Sequence, residues 1–359
     1  MSDVDARDAR RPARPGGGKR VTMRDVADAA GVSQPLVSIV MRDVPGASPE
    51  SRAHVLEVAA RLGYRRDERA RMLKQGRSRL VGIVFHAAQP FHGELIDELQ
   101  LAARSAGYNV SLAAVTKRRG EADAIEALLG ERVEGLVLLG ASLPEEQLDR
   151  IAEEVPVVTV ASQYSSASFD SVSMDDARGM ELAVRHLHER GHSRILYLGA
   201  PGVSGDEVRT ATFLAATTAA GLGDQVAIVA GGASEAAGAK VIEEALARYP
   251  DATAVVAFND RSAQGVVAQA RLLGKRVPED LAVVGFDDSE QAELPYLHLT
   301  SLAQDPAQLA SAAVEMVVGR VDASAEGEQP RSGEHRILPT RLVVRSSSGG
   351  TGNSVERSR

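Results

Sequence analysis

From Leu80 onward the chain repeats one pattern, a short run of aliphatic and β-branched residues followed by an amphipathic stretch. The first four runs are LVGIVFHAA, YNVSLAAV, GLVLLG and VPVVTVA, separated by helical patterns near 93–106, 120–130 and 145–153. The pattern restarts with a helix over 176–191. It continues through RILYLG, QVAIVA, AVVAF and LAVVGF, with helices near 206–220, ending about 245, and over 262–273. Runs that are apolar throughout suit strands covered on both faces, and strands joined through helices pair in parallel. The pattern therefore predicts two doubly wound α/β lobes in succession with no long linker. A further helix within 300–321 and the run RILPTRLVVR, read as one final strand, complete the body.

Two such lobes enclose a cleft, because ligands of parallel sheets bind beyond the carboxyl ends of the strands. The polar residues at those ends are His86 and His92, beside Phe91, after the first run, Asn259-Asp260 after AVVAF, and Asp287-Asp288 after VVGF. Each Asn or Asp taken singly also suits a helix cap. Their recurrence at equivalent places favours binding.

Ahead of the body, VTMRDVADAAGVSQPLVSIVM spaces Met23, Val26, Ala27 and Ala30 along one helical stripe behind Thr22 as N-cap. Gly31 can end that helix, and Ser33 can cap a second one carrying Leu36, Val37, Val40 and Met41. Ser48-Pro49-Glu50 opens a third, with Val55, Val58, Ala59 and Leu62 facing inward and Gly63 closing it. Spacing alone admits an ordinary helical hairpin as readily as a helix-turn-helix. Charge separates them. The net charge is −8, yet residues 19–77 hold 12 Lys/Arg against 7 Asp/Glu, and residues 1–18 hold four Arg against three Asp, so 78–359 must carry −14. A basic module on an acidic body fits phosphate attraction at one end only.

At 359 residues and 44% hydrophobic content, two or three domains are expected. The absence of Cys removes disulfides and thiolate chemistry. No apolar run approaches the roughly 20 residues that span a bilayer, and the N-terminus has no secretory pattern, so no membrane role and a cytoplasmic location are expected. No G-x-G-x-x-G follows the first strand, no phosphate loop occurs, and no His/acid group has metal-ligand spacing. Catalytic residues, metals and cofactors are therefore not expected; an enzyme or a transport protein bearing a DNA-binding headpiece is the rival reading.

With these residues in view, the chain resembles the LacI/GalR type of bacterial transcription regulator from about Val21 to Arg345. The phrases that carry the resemblance are VTMRDVADAAGVS with Val37-Ser38, RLGYRRDERARMLKQGRS leading into LVGIV, HLHERGHSRILYLG, TAVVAFNDRSAQG and VPEDLAVVGFDD. The resemblance implies a repressor that binds a pseudo-palindromic double-stranded DNA operator as a homodimer, with a tetramer left open. It also implies a periplasmic-binding-protein-like body whose cleft takes a small polar effector, a sugar first and a nucleoside-like molecule as the alternative. The implied layout is a disordered tail over 1–18, a helix-turn-helix headpiece over 19–66 with its motif at about 23–42, a hinge helix and linker over 67–79, and a body over 80–345. Lobe 1 spans about 80–162 plus 303–321 and lobe 2 about 163–300 plus 322–345, with a flexible tail over 346–359.

Residue by residue, the resemblance puts Gln34, Pro35 and Ile39 at base edges and Thr22, Ser33, Ser38 and Arg42 near phosphates. Tyr64 would reach the backbone, and Arg71 and Leu73 would act in the hinge, Leu73 as a minor-groove wedge. The effector positions fall on Phe91, His92 and Ile96 from the first lobe and Arg209, Asn259 and Asp287 from the second, with His86 and Gln304 as further candidates. Departures matter here. The family often carries an Arg in the reading helix where this chain has Ile39, so direct readout leans on Gln34, which suits adenine. Asp67 replaces the usual hinge Asn, and Asp175-Asp176 stands where Asp-Asn is usual, a pair read as a helix cap.

Overall fold

A computed structural model describes residues 21–41, 43–64, 77–329 and 331–349. The chain divides into two units between Arg77 and Ser78. The expectations for Arg42, Asp67, Arg71, Leu73 and the 1–18 tail lie outside the described residues.

The N-terminal unit holds α1 (Met23–Ala30), α2 (Gln34–Met41) and α3 (Pro49–Arg61). Thr22 and Asp25 form a capping box: Thr22 N donates to Asp25 Oδ2 at 2.7 Å, while Asp25 N donates to Thr22 Oγ1 at 3.3 Å. Gly31 ends α1 in the left-handed region at φ 64°, where a side chain would be strained. Ser48 caps α3, whose first position is Pro49. The core is small. Val26, Ala27 and Ala30 meet Val37 and Val40 of α2 and Val55, Val58 and Ala59 of α3. Arg52 fastens the α2–α3 loop by donating to Asp43 Oδ1 at 2.5 Å and to the Val44 carbonyl at 2.8 Å.

The body contains two six-stranded sheets. The first joins β1 (Leu80–His86), β2 (Asn109–Val115), β3 (Gly135–Leu139), β4 (Val157–Val160), β5 (Asp170–Met174) and β11 (His335–Leu338), in the order β11-β5-β4-β3-β1-β2. The second joins β6 (Ile195–Gly199), β7 (Ala227–Ala230), β8 (Ala254–Ala257), β9 (Ala282–Asp287), β10 (Thr300–Ala303) and β12 (Arg341–Val343), in the order β12-β10-β9-β8-β6-β7. All pairings between these strands are parallel except β10 with β12. The winding direction reverses at β1 and again at β6, and each reversal opens a crevice at the strands' carboxyl ends.

Alternate residues of each strand face opposite layers, as the two-residue period requires. Val81, Ile83, Val137 and Val158 pack with Leu95 and Leu99 of α4 (Pro90–Ser105) and Leu309 and Val317 of α11 (Pro306–Ala325). Val84, Leu136 and Leu138 turn to Ile125 and Leu128 of α5 (Glu121–Gly130) and Leu148 of α6 (Glu145–Glu154). The second sheet is covered likewise. Met180 and Leu187 of α7 (Asp176–Glu189) and Phe213 of α8 (Asp206–Ala219) lie on one face. Ile242 of α9 (Glu235–Arg248) and Val266 of α10 (Asp260–Leu272) lie on the other. Helices α9 and α10 touch backbone to backbone. A Cβ at Gly238 would sit 2.1 Å from the Ser262 carbonyl oxygen, and one at Gly265 1.9 Å from that of Glu235.

Three expectations are corrected. β5 lies in the first sheet, where the expected layout puts 163–174 in the second lobe; its sequence DSVSM has no apolar run, and its Asp170 and Ser171 are held by distant partners. Asp170, with no exposed surface, accepts from Arg320 Nε at 2.8 Å and from Arg331 Nη2 at 2.8 Å. RILPTRLVVR forms two strands in different sheets, because Pro339 has no N–H for a ladder and the chain crosses there. Its first half, 335–338, thereby joins the first sheet rather than the second. Residues 346–348 form a 3₁₀ turn in place of a flexible start to the tail. Ser347 Oγ donates to the Val283 carbonyl at 2.7 Å and accepts from Thr300 N at 2.8 Å.

The chain passes between the sheets after β5, after β10 and after β11. Two hydrogen bonds bind these passages together. Asp175 N donates to the Leu338 carbonyl at 2.8 Å, and Thr340 Oγ1 donates to that of Ala303 at 2.7 Å.

Candidate functional site

On the N-terminal unit, α2 turns Val37 and Val40 inward and leaves Gln34, Pro35 and the preceding Ser33 exposed. Ser38 and Ile39 are half-buried. Ile39 is partly committed to the following loop, since its Cδ1 lies 3.6 Å from where a Gly46 Cβ would be. Thr22 is exposed, but its hydroxyl serves the α1 cap, donating to Asp25 Oδ2 at 2.7 Å. Tyr64 packs half-buried against the three-helix core, its N–H donating to the Ala59 carbonyl at 2.9 Å. The stretch 21–64 itself holds four Arg against five Asp/Glu, so the excess positive charge belongs to Lys19, Arg20 and 65–77.

In the body, the carboxyl ends of both sheets open on one cavity of about 310 Å³. His86, Phe91, His92, Arg209, Asn259, Asp287 and Gln304 all line it. Ile96 does not. One turn further along α4 than His92, it is buried in the core of the first lobe beside Leu95 and Leu99.

The first-lobe wall is built from β1 and the start of α4. His86 N donates to His92 Nδ1 at 3.0 Å, and His86 Nε2 lies 3.2 Å from the Gly140 carbonyl oxygen. Burial first, and the neighbouring His86 second, push the His92 imidazole down to about 3. It is therefore neutral near pH 7 with its proton on Nε2. Gly140, at φ 60°, leaves room for that ring, because a Cβ there would come within 3.3 Å of it.

The second-lobe wall is organised by Arg209 on α8. Its Nε donates to Asp176 Oδ2 at 3.0 Å, its Nη1 to the Phe258 carbonyl at 2.8 Å, and its Cζ lies 3.5 Å from the Phe286 ring centroid. Burial works most strongly against its charge, but Asp176, Tyr197 and Asp287 together outweigh it and hold the guanidinium above its ordinary value. Asp287 ends β9 with φ 118°, a strained backbone for any residue but glycine, and accepts from Gln304 Nε2 at 2.7 Å. Burial, and then the nearby Asp260, raise the Asp287 carboxyl well above the usual range. Asn259 caps α10, its Oδ1 accepting from Ser262 N at 2.9 Å while Nδ2 donates to the Ala233 carbonyl at 3.3 Å. At Asn259, capping and cavity lining coexist.

Residues 22–67 match the model of bacterial regulatory proteins of the lacI family, and 184–348 match a periplasmic binding protein-like domain. A crystal structure of a LacI transcriptional regulator from a Rhodococcus species is 38% identical. It aligns over 75% of this chain and 98% of that one, with a TM-score of 0.70. The chain belongs to the LacI family. Among other LacI-family proteins, the lac repressor dimer bound to operator and the anti-inducer ONPF aligns over 92% of this chain and 99% of that one, at 26% identity and TM-score 0.77. The HTH-type transcriptional regulator GalS of Salmonella typhimurium is 29% identical over 340 residues, 93% of this chain and 98% of the relative. These relatives are regulators and not enzymes, and the chain is a LacI-family DNA-binding transcriptional regulator with an effector-binding domain. No described helix is long and apolar enough to cross a membrane, and no group of three metal-ligating side chains occurs among the described residues.

Of the Asp175-Asp176 pair, read from the sequence as a helix cap, Asp175 is the cap, its Oδ1 accepting from Arg178 N at 2.8 Å, while Asp176 is the ion-pair partner of Arg209. Sequence reading also missed Arg261. Its Nη1 reaches across the cleft to the Ala88 carbonyl at 2.5 Å, while its Nε donates to Glu235 Oε1 at 2.9 Å. Nearby, Glu290 N donates to Glu94 Oε1 at 3.1 Å, a second link between the lobes. Neither pairing has a local sequence signal, since the partners lie far apart in the chain.

Proposed function

We propose that this LacI-family regulator is a cytoplasmic repressor that binds a pseudo-palindromic operator as a homodimer, its affinity set by a small polar effector between the lobes. What carries this reading is the cavity, where seven of the eight candidate effector residues converge from the strand ends and adjoining helices of both lobes. A ligand touching both walls stabilises one lobe arrangement over the other, and only such a difference can alter operator affinity. The mixed lining suits hydroxyl groups, with Asp287 accepting, Arg209 donating and Phe91 offering an apolar face, so a sugar is the first reading and a nucleoside the second.

On the DNA side, Gln34, Pro35 and Ile39 would read base edges while Thr22, Ser33, Ser38 and Arg42 lie near phosphates. Support comes from the exposure of Gln34, Pro35 and Ser33 on and beside α2. The flanking cations of 65–77 would supply salt-dependent attraction, with Arg71 and Leu73 acting at the minor groove and Tyr64 closing the headpiece. A footprinting titration over genomic fragments tests the proposal. It should protect a pseudo-palindromic site, and binding indifferent to sequence would refute it. In the same assay Gln34→Ala should relax base preference by about 1–3 kcal/mol at one position.

A further inference from the structure

We infer that the cavity selects an uncharged, polyhydroxylated ligand of a single ring, holding one of its oxygens on the Nε2–H of His92, and rejects phosphorylated sugars. This rests on the proposal that the cleft holds the effector, and it narrows the ligand's class from size, charge and hydrogen-bond polarity.

Size comes first. A cavity of about 310 Å³ lies at the lower end of small-molecule sites. A space of that size takes one sugar ring with water beside it and falls short of an oligosaccharide.

Charge decides against a phosphate. Among the described lining residues Arg209 is the only Lys or Arg, and Asp176 already neutralises it. Around it lie Asp287 in the wall and Asp260 behind it, the latter accepting from Ser289 and Ser301. On the first-lobe side Ser142 donates its N–H and hydroxyl to the buried Glu121 at 2.9 and 2.7 Å. The amino ends of α8 and α10, which could otherwise attract an anion, carry the buried Asp206 and Asp260 in their first turns. A phosphate would meet no unmatched cation among the described lining residues, beside two acidic side chains, Asp287 and Asp260, that burial already holds back from ionising.

Hydrogen-bond polarity excludes the opposite case, a ligand that only donates. His92 is 7% exposed and lines the cavity. Its Nδ1 already accepts from His86 N, so the proton sits on Nε2, which has no partner among the described residues. Because burial keeps the ring from taking a second proton, it is a fixed single donor. Arg209 Nη2 is likewise a donor without a hydrogen bond to the described residues. The ligand must therefore present acceptor oxygens to both walls and donors to Asp287. Neighbouring hydroxyls on one ring do both.

The test is thermal unfolding of the full chain with free aldohexoses and aldopentoses, and in parallel with their phosphate esters, amino sugars, nucleosides and inorganic phosphate. The expected result is a raised Tm with at least one neutral compound and none with its phosphate ester. A phosphate ester, an amino sugar or a nucleoside binding better than every neutral polyol overturns the inference while leaving the regulator reading intact. Silence of every class overturns the cleft reading with it. For the polyol that binds, His92→Phe should lose about tenfold in affinity, the upper range for one neutral hydrogen bond. His92→Gln, which can place an amide donor in that region, should recover part of it. Unchanged affinity in a folded His92→Phe protein would overturn the donor assignment.

Discussion

Asp176 Oδ2 meets Arg209 Nε at 3.0 Å, and the two side chains are buried together in the wall of the cleft. Removing one partner of such a pair leaves the other as an uncompensated buried charge. Asp176→Ala should therefore cost about 3–5 kcal/mol, read from urea unfolding of the full chain. Asp176→Asn, which retains an acceptor, should cost less. A fully stable Asp176→Ala protein would mean that Arg209 finds another counter-charge.

Arg261 supplies a different kind of contact, one that exists only while the lobes are close. Its bond to the Ala88 carbonyl, with Glu290 N on Glu94, favours the narrow cleft. Arg261→Ala should shift the body toward a wider arrangement, with a larger radius of gyration in solution scattering. Effector affinity should fall roughly tenfold, since hydrogen bonds to charged groups contribute about 1.5–3 kcal/mol. Unaltered scattering and affinity would remove Arg261 from the closing contacts.

Acid should weaken the fold partly through His92. The imidazole titrates at 6.5 ordinarily and at about 3 in the fold, so between these values the unfolded chain binds more protons. The stability it contributes is complete above pH 6.5 and declines as pH falls, by at most about 1.4 kcal/mol per pH unit. Asp260 acts with the opposite sign, because burial raises it from 3.8 to about 7 and its contribution weakens as pH rises through that window. The difference between His92→Gln and the parent protein isolates the histidine. Its pH slope should be shallower on the acid side, and parallel curves would refute the assignment.

The N-terminal unit has little core to spare, so its caps weigh more. Thr22→Ala removes the side chain that serves Asp25 N and should cost about 1 kcal/mol. Faster hydrogen exchange confined to the amides of α1 is the expected signature; protection equal to the parent would show the capping box to be dispensable.

The strands that could be read from sequence are those whose residues are apolar on both faces, such as β1, β3 and β8. β5 escaped because Asp170 and Ser171 are satisfied by side chains far along the chain, a pairing that leaves no periodicity. In the cleft, position at strand ends pointed to His86, His92, Asn259 and Asp287, and the family resemblance added Arg209 and Gln304. Neither could tell Asp175 the cap from Asp176 the ion-pair partner, because that choice depends on α8 arriving beside the start of α7. Ile96 was misplaced for a similar reason. Whether a residue one turn past His92 faces the cavity or the core is set by the tilt of α4 over its sheet.

The crossing at Pro339 has a consequence for synthesis. Within nine residues the ribosome releases the last strand of the first sheet, β11, and the last strand of the second, β12. Neither lobe can complete its hydrogen-bonded edge until almost the whole chain has emerged, although the N-terminal helices are finished long before. The protein must therefore acquire the elements for reading DNA well ahead of the finished cleft. A chain truncated before residue 335 would lose an edge strand from both sheets at once.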